Sequence, residues 1–174
     1  MRVPMTLVER STMLRPRAAV LAILLVAAAT VAGAWLFQLA GVAPCELCLK
    51  ERWPYYGGAA AAAVVWFSAS REHTVQRFAL IALAALFAVS AVVGAYHAGV
   101  EWGFWPGPSD CTGDLTRAVS MDDFARQLQS VKVVRCDVVA VRVLGLSLAA
   151  WNAVISGGLT GLALVGARNA LKPG

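Results

Sequence analysis

Cys45 and Cys48 stand in C-x-x-C spacing and are followed at once by Lys50, Glu51 and Arg52. A bridge between them would close so short a loop that it removes little entropy from the unfolded chain and is prone to strain, so it makes a poor staple. The same properties suit it to thiol–disulfide exchange, which needs a thiolate attacker and a good leaving thiolate. Cys111 and Cys136 complete an even set of four cysteines. Two other uses compete: plain stapling of loops, and an all-thiolate zinc or iron–sulfur site. Structural metal sites use two close pairs, whereas Cys111 and Cys136 are far apart in the chain, so no metal ligand is assigned.

The elements that must position these thiols are apolar. Of 174 residues, 59% are hydrophobic and 14% charged, against about 45–50% and about 25% in soluble domains. Residues 18–39, 78–96 and 143–165 carry no charge, and each is about as long as the roughly 20 residues that cross a hydrocarbon core. Residues 53–69 are shorter and open on Pro54, which a first helical turn tolerates. The alanines at 59–63 favour helix there, so a fourth span is expected. A cleaved signal sequence, with Arg15 and Arg17 as its basic flank, competes for 18–39, but the apolar run exceeds the usual 7–15 or so residues of such a segment. The expectation is one all-α membrane domain over 1–174, a four-helix transmembrane bundle.

Arginine and lysine distribution orients the spans. Arg2, Arg10, Arg15 and Arg17 precede the first, Arg71 and Arg77 lie between the second and third, and Arg168 and Lys172 follow the fourth. These segments, with both termini, are expected in the cytoplasm. Residues 40–52 and 97–142 hold seven basic and eight acidic side chains and are expected outside. All four cysteines fall in those two outward loops, as suits an oxidising compartment of the periplasmic kind. The net charge of +5 is met by anionic headgroups. No phosphate loop or nucleotide fingerprint is present, and no nucleic-acid partner is expected.

In the second outward loop, Ser120 is placed to cap a helix with Asp122 and Asp123 in its first turn. Met121, Phe124, Leu128 and Val131 then form one apolar stripe, which predicts a short amphipathic helix lying on the outer leaflet. Before Cys111, glycines and prolines in "GFWPGPSD" predict an extended, accessible segment.

"CELCLKER" at 45–52, "YHAGVEWGFWPGPSDC" at 96–111 and the separate Cys136, set among four apolar runs, together resemble the disulfide bond formation protein B (DsbB) family of quinone-linked inner-membrane thiol oxidases. The resemblance covers roughly 15–168. It implies an outer disulfide, Cys111–Cys136, that meets a periplasmic DsbA-like dithiol protein, and an inner one, Cys45–Cys48, that passes electrons to ubiquinone or menaquinone in a bacterial inner membrane. A dedicated rather than general partner is the alternative within the family. Vitamin K epoxide reductase relatives also combine a four-helix bundle, quinone and dithiols, but their C-x-x-C comes late in the bundle.

The resemblance also implies that Arg52 binds quinone. If a helix begins by Cys48, Arg52 shares its face, and a permanent cation there lowers the Cys48 pKa and holds negative charge on a reduced ring. An interfacial arginine reaching headgroups is the competing reading. His97, at the outward end of the third span, matches a histidine near the quinone, where an imidazole would bond a carbonyl or relay a proton. Glu51 matches the acidic position of the motif and is left without a role.

Overall fold

The computed structural model describes residues 15–68, 72–108, 120–122, 125 and 134–171. Its regular structure is almost entirely helical. Helix α1, Pro16–Leu39, opens on a proline, whose missing N–H would have no partner in a first turn. It closes where Gly41 takes a φ of +93°. A five-residue helix, α2, Glu46–Lys50, follows, and after a turn at Glu51 and Arg52 comes α3, Trp53–Phe67, with Pro54 in its first turn. Helix α4 runs His73–Glu101. A two-stranded hairpin, β1 Arg142–Val143 against β2 Leu146–Ser147, leads directly into α5, Leu148–Asn169.

Three of these helices, α1, α4 and α5, are long and apolar enough to cross a membrane. Helix α3 has 15 residues, about 22 Å of rise, against a hydrocarbon core of about 30 Å. Its sequence-based limit of 69 is therefore too late, since the described helix stops at Phe67. A larger correction concerns the fourth apolar run, expected to be helical from 143. Leu144 and Gly145 both have positive φ and turn the chain back on itself, and the helix starts only where Ser147 Oγ accepts from Ala150 N–H at 3.2 Å.

The bundle packs through small residues, as helices in lipid do. Helices α4 and α5 meet most extensively, and a Cβ added at Gly94 would stand 2.8 Å from the backbone nitrogen of Ala153. Ile23, Tyr55, Leu80, Phe87 and Leu159 fill the centre. A buried polar network joins α3, α4 and α5: Tyr55 OH donates to Asn152 Oδ1 at 2.7 Å and lies 2.8 Å from Ser156 Oγ, which donates to Ser90 Oγ at 2.9 Å. Large apolar side chains such as Leu36, Val64, Phe67, Phe78 and Val92 cover the outside, a surface suited to lipid rather than water.

Of the expected loop helix, Met121, Asp122 and Ala125 are helical, and all three are exposed. Phe124, Leu128 and Val131, which carry most of the predicted stripe, lie outside the described residues, as does Cys111. Within "GFWPGPSD" the chain turns at first, and Trp105 folds back to stack on Tyr96 and donate to the Tyr96 carbonyl at 2.9 Å.

Candidate functional site

The link between α1 and α3 is folded around its two thiols. Cys45 occupies the N-cap of α2, and its Sγ accepts from Cys48 N–H at 3.2 Å. This back-bond sets the sulfurs 2.6 Å apart, both reduced. The donor atoms of Cys45, Cys48 and His97 lie within 4.8 Å of one another. Two sulfurs held about 2.3 Å from one tetrahedral ion would stand about 3.7 Å apart, wider than the pair here.

The two thiols have different neighbours. Cys45 is buried, with His97 Nε2 at 3.7 Å from its sulfur. The other ring nitrogen, Nδ1, donates to Glu51 Oε1 at 2.8 Å. His97 comes from the C-terminal part of α4 and Glu51 from the turn after α2, so the imidazole is held between a thiol and a carboxyl. The hydrogen bond from the Cys48 thiol, aided by His97 and the Cys48 N–H, holds the Cys45 thiol well below the ordinary range against the opposing effect of burial. The same shared hydrogen bond, with burial and the Cys45 charge, pushes Cys48 up. Burial pushes Glu51 up, and the His97 hydrogen bond partly offsets this.

Cys136 is buried and disulfide-bonded, and it shares one small apolar cluster with Cys45, Leu47, Cys48 and Val134. A sulfur of the segment between α4 and β1 is thus packed with the pair in the link between α1 and α3.

Cys48 also faces the other way. It forms part of the wall of a cavity of about 310 Å³ bounded by α1, α3, the hairpin and α5, with Val31, Phe37, Trp151 and Ile155 among its apolar lining and Glu51, Arg52, Tyr55 and Asn152 as its polar groups. This volume and this mixture of apolar wall and few polar groups suit a substituted single ring. Arg52, half-buried, donates from Nη1 to Gln38 Oε1 at 2.8 Å. Arg52 and Cys48 are separated by the break between α2 and α3, yet they share this cavity. His97 is not on its wall.

The reduced pair therefore gives its low-pKa thiol to Cys45, not to Cys48 as the reasoning from Arg52 expected. Sequence reasoning left Glu51 open between Arg52, a neighbouring helix and solvent, and its partner is His97 on α4. It lies 46 residues from His97, and no local spacing joins them. Tyr55 and Asn152 did carry a signal, because polar groups within a spanning segment are expensive and mark function, but the C-x-x-C drew the reading away from them.

Comparison with curated proteins and with solved structures gave no match. The family model described as "Disulfide bond formation protein DsbB" matches residues 16–166. With a free C-x-x-C set between an apolar cavity and a second, disulfide-bonded cysteine, in a chain with three membrane-type helices, the protein belongs to the DsbB family of disulfide bond formation proteins.

Proposed function

We propose that this chain reoxidises a DsbA-like dithiol protein in the periplasm and passes the electrons through two cysteine pairs to a quinone in the inner membrane. One observation carries the reading: Cys45 packs with disulfide-bonded Cys136, while its partner Cys48 lines the apolar cavity. A relay needs this two-sided arrangement, and a pair of structural staples does not.

The order of exchange is the one the family resemblance implies, and the packing of Cys136 with Cys45 supports it. A thiolate of the partner attacks Cys111 of a Cys111–Cys136 bond, and Cys136 leaves as a thiolate. Cys136 attacks Cys45 of the oxidised inner pair, forming Cys45–Cys136 and freeing Cys48. Each step exchanges one S–S bond for another, so electrons move without net bond loss. Once Cys45 is bound to Cys136 it no longer competes for negative charge, and Cys48 becomes the thiolate at the cavity wall. Arg52 is the permanent cation of that wall suited to hold the charge, and Tyr55 and Asn152 are polar groups of the same wall that would meet the carbonyls of a bound ring. A bound quinone supplies a two-electron, two-proton acceptor.

In this reading α3 crosses the membrane with α1, α4 and α5, both termini are cytoplasmic, and the cysteine loops are periplasmic. The basic residues flanking α1 and following α5 support that orientation. The test is oxidation of a reduced DsbA-type protein by the purified chain in detergent, with quinone absorbance followed and Cys48→Ser run alongside. Stoichiometric loss of quinone and dithiol in the wild type, absent in the variant, is expected. A partner that stays reduced while the cysteines resist glutathione would mean structural bridges instead.

A further inference from the structure

The electron route leaves a proton unaccounted for. Closing the inner pair against a quinone converts two thiols and the ring into a disulfide and a quinol, so two electrons and two protons must leave the sulfurs. Cys48 stands on the cavity wall and can give up its proton there. Cys45 does not line the cavity. It is 5% exposed, and the groups beyond it, His97 and Glu51, are 1% and 7% exposed, so bulk water offers no easy exit.

A path of side chains does lead out. Cys45 Sγ meets His97 Nε2 at 3.7 Å, His97 Nδ1 meets Glu51 Oε1 at 2.8 Å, and Glu51 forms part of the cavity wall. We propose that His97 and Glu51 are a built-in proton path that carries the Cys45 thiol proton to the acceptor in the cavity. His97 Nε2 takes the proton from Cys45 while Nδ1 releases one to Glu51. The Cys45 thiolate then bonds to the Cys48 sulfur, the two electrons that the pair of thiolates gives up in forming the S–S bond pass to the acceptor in the cavity, and the proton on Glu51 follows them. The balance is one S–S bond formed, two electrons transferred and one proton delivered from each cysteine. This rests on the quinone reading above but assigns His97 to Cys45 and gives Glu51 the carrying role.

Among the described residues the charged and titratable neighbours of the path are few, and Tyr55 shares the cavity wall with Glu51. Cys48 adjoins Cys45, Arg52 follows Glu51, and Glu101 and Arg135 border a cleft of about 30 Å³ on the Cys45 side. Glu101 Oε2 is buried and lacks a hydrogen-bond partner, and its charge disfavours ionised Glu51, which helps that carboxyl accept a proton.

Glu51→Gln separates carriage from mere positioning, because the amide oxygen still accepts from His97 Nδ1–H but cannot take its proton. The first readout uses reduced, quinone-free chain: the pH profile of iodoacetamide alkylation at Cys45, mapped by mass spectrometry. Glu51→Gln is expected to lower Cys45 reactivity at pH 6 by about tenfold, the scale of one lost proton acceptor, while Glu51→Asp, which keeps a carboxyl, stays nearer the wild type. The second readout is the rate at which the inner disulfide re-forms with quinone, expected to fall by at least about tenfold in Glu51→Gln. A Glu51→Gln profile that overlays the wild type overturns the proposal, even if turnover falls, and so does an Asp variant shifted as far as Gln. A shifted profile in a chain whose wild type consumes no quinone would overturn the reading of the acceptor and support the coupling of Cys45 to Glu51.

Discussion

Two sulfurs three residues apart in the chain occupy different chemical worlds. Cys45 faces an imidazole, a carboxyl and the disulfide-bonded Cys136. Cys48 faces an apolar cavity with an arginine at its edge. The sequence motif is symmetric, but the fold is not, and the asymmetry comes from where neighbouring helices end. Helix α4 extends outward far enough to bring His97 beneath Cys45, whereas α1, α3 and α5 leave the space beside Cys48 unfilled. One sulfur is thereby suited to exchange with another protein sulfur, and the other to face a ring.

The sharpest way to break the comparison is to remove each sulfur in turn. Cys48→Ser and Cys45→Ser should each abolish quinone reduction, by about a thousandfold or more as for loss of a nucleophile, but they should fail differently. Cys48→Ser keeps Cys45, whose thiolate can attack Cys136 of a Cys111–Cys136 bond and release Cys111, and should accumulate a Cys45–Cys136 bond, visible by non-reducing mass mapping. Cys45→Ser should not. Next in size is Arg52→His, expected to raise the apparent quinone KM about tenfold, as for loss of a charge-assisted contact, while the KM for the dithiol partner stays put. An unchanged quinone KM would remove Arg52 from the cavity's function.

A third test attacks the scaffold. Gly94→Val must push against the Ala153 backbone, and overpacking of this kind costs about 1–3 kcal/mol, read as a lower melting temperature in detergent. Because His97 lies three residues further along α4, the variant should also blunt the difference between the two sulfurs. The mildest test perturbs nothing. As pH falls from neutral, Cys45, whose pKa lies below the ordinary thiol range, should keep reacting with iodoacetamide. Cys48, whose pKa lies above it, should stay protonated and slow even in mild alkali. Equal profiles would mean the two environments do not differ in effect.

Much of this arrangement was legible in the residues. The long uncharged runs announced α1 and α4 because nothing but lipid or a large core accommodates them, and the even cysteine set in two loops announced exchange chemistry. The start of α5 was not legible. From Val143 on the residues read as one uncharged run, and nothing about a leucine signals that Leu144 will sit at φ 51°. The break between α2 and α3 was obscured for a similar reason: Glu51 and Arg52 keep helical dihedrals although the helix is interrupted there. The His97–Glu51 pair depends on two elements meeting across 46 residues, which only the tertiary packing specifies.

The hairpin before α5 has a kinetic consequence. Trp151 Nε1 donates to the Val143 carbonyl at 2.8 Å and so pins β1 to the bundle, and Cys136 lies only six residues before Arg142. A tether that short holds its end group at an effective concentration in the millimolar range or above. Exchange between the outer and inner pairs is then first order and indifferent to how much chain or partner is present. In the proposed relay the encounters with the partner dithiol and with quinone depend on concentration, so turnover saturates with both while the internal step runs at a fixed rate.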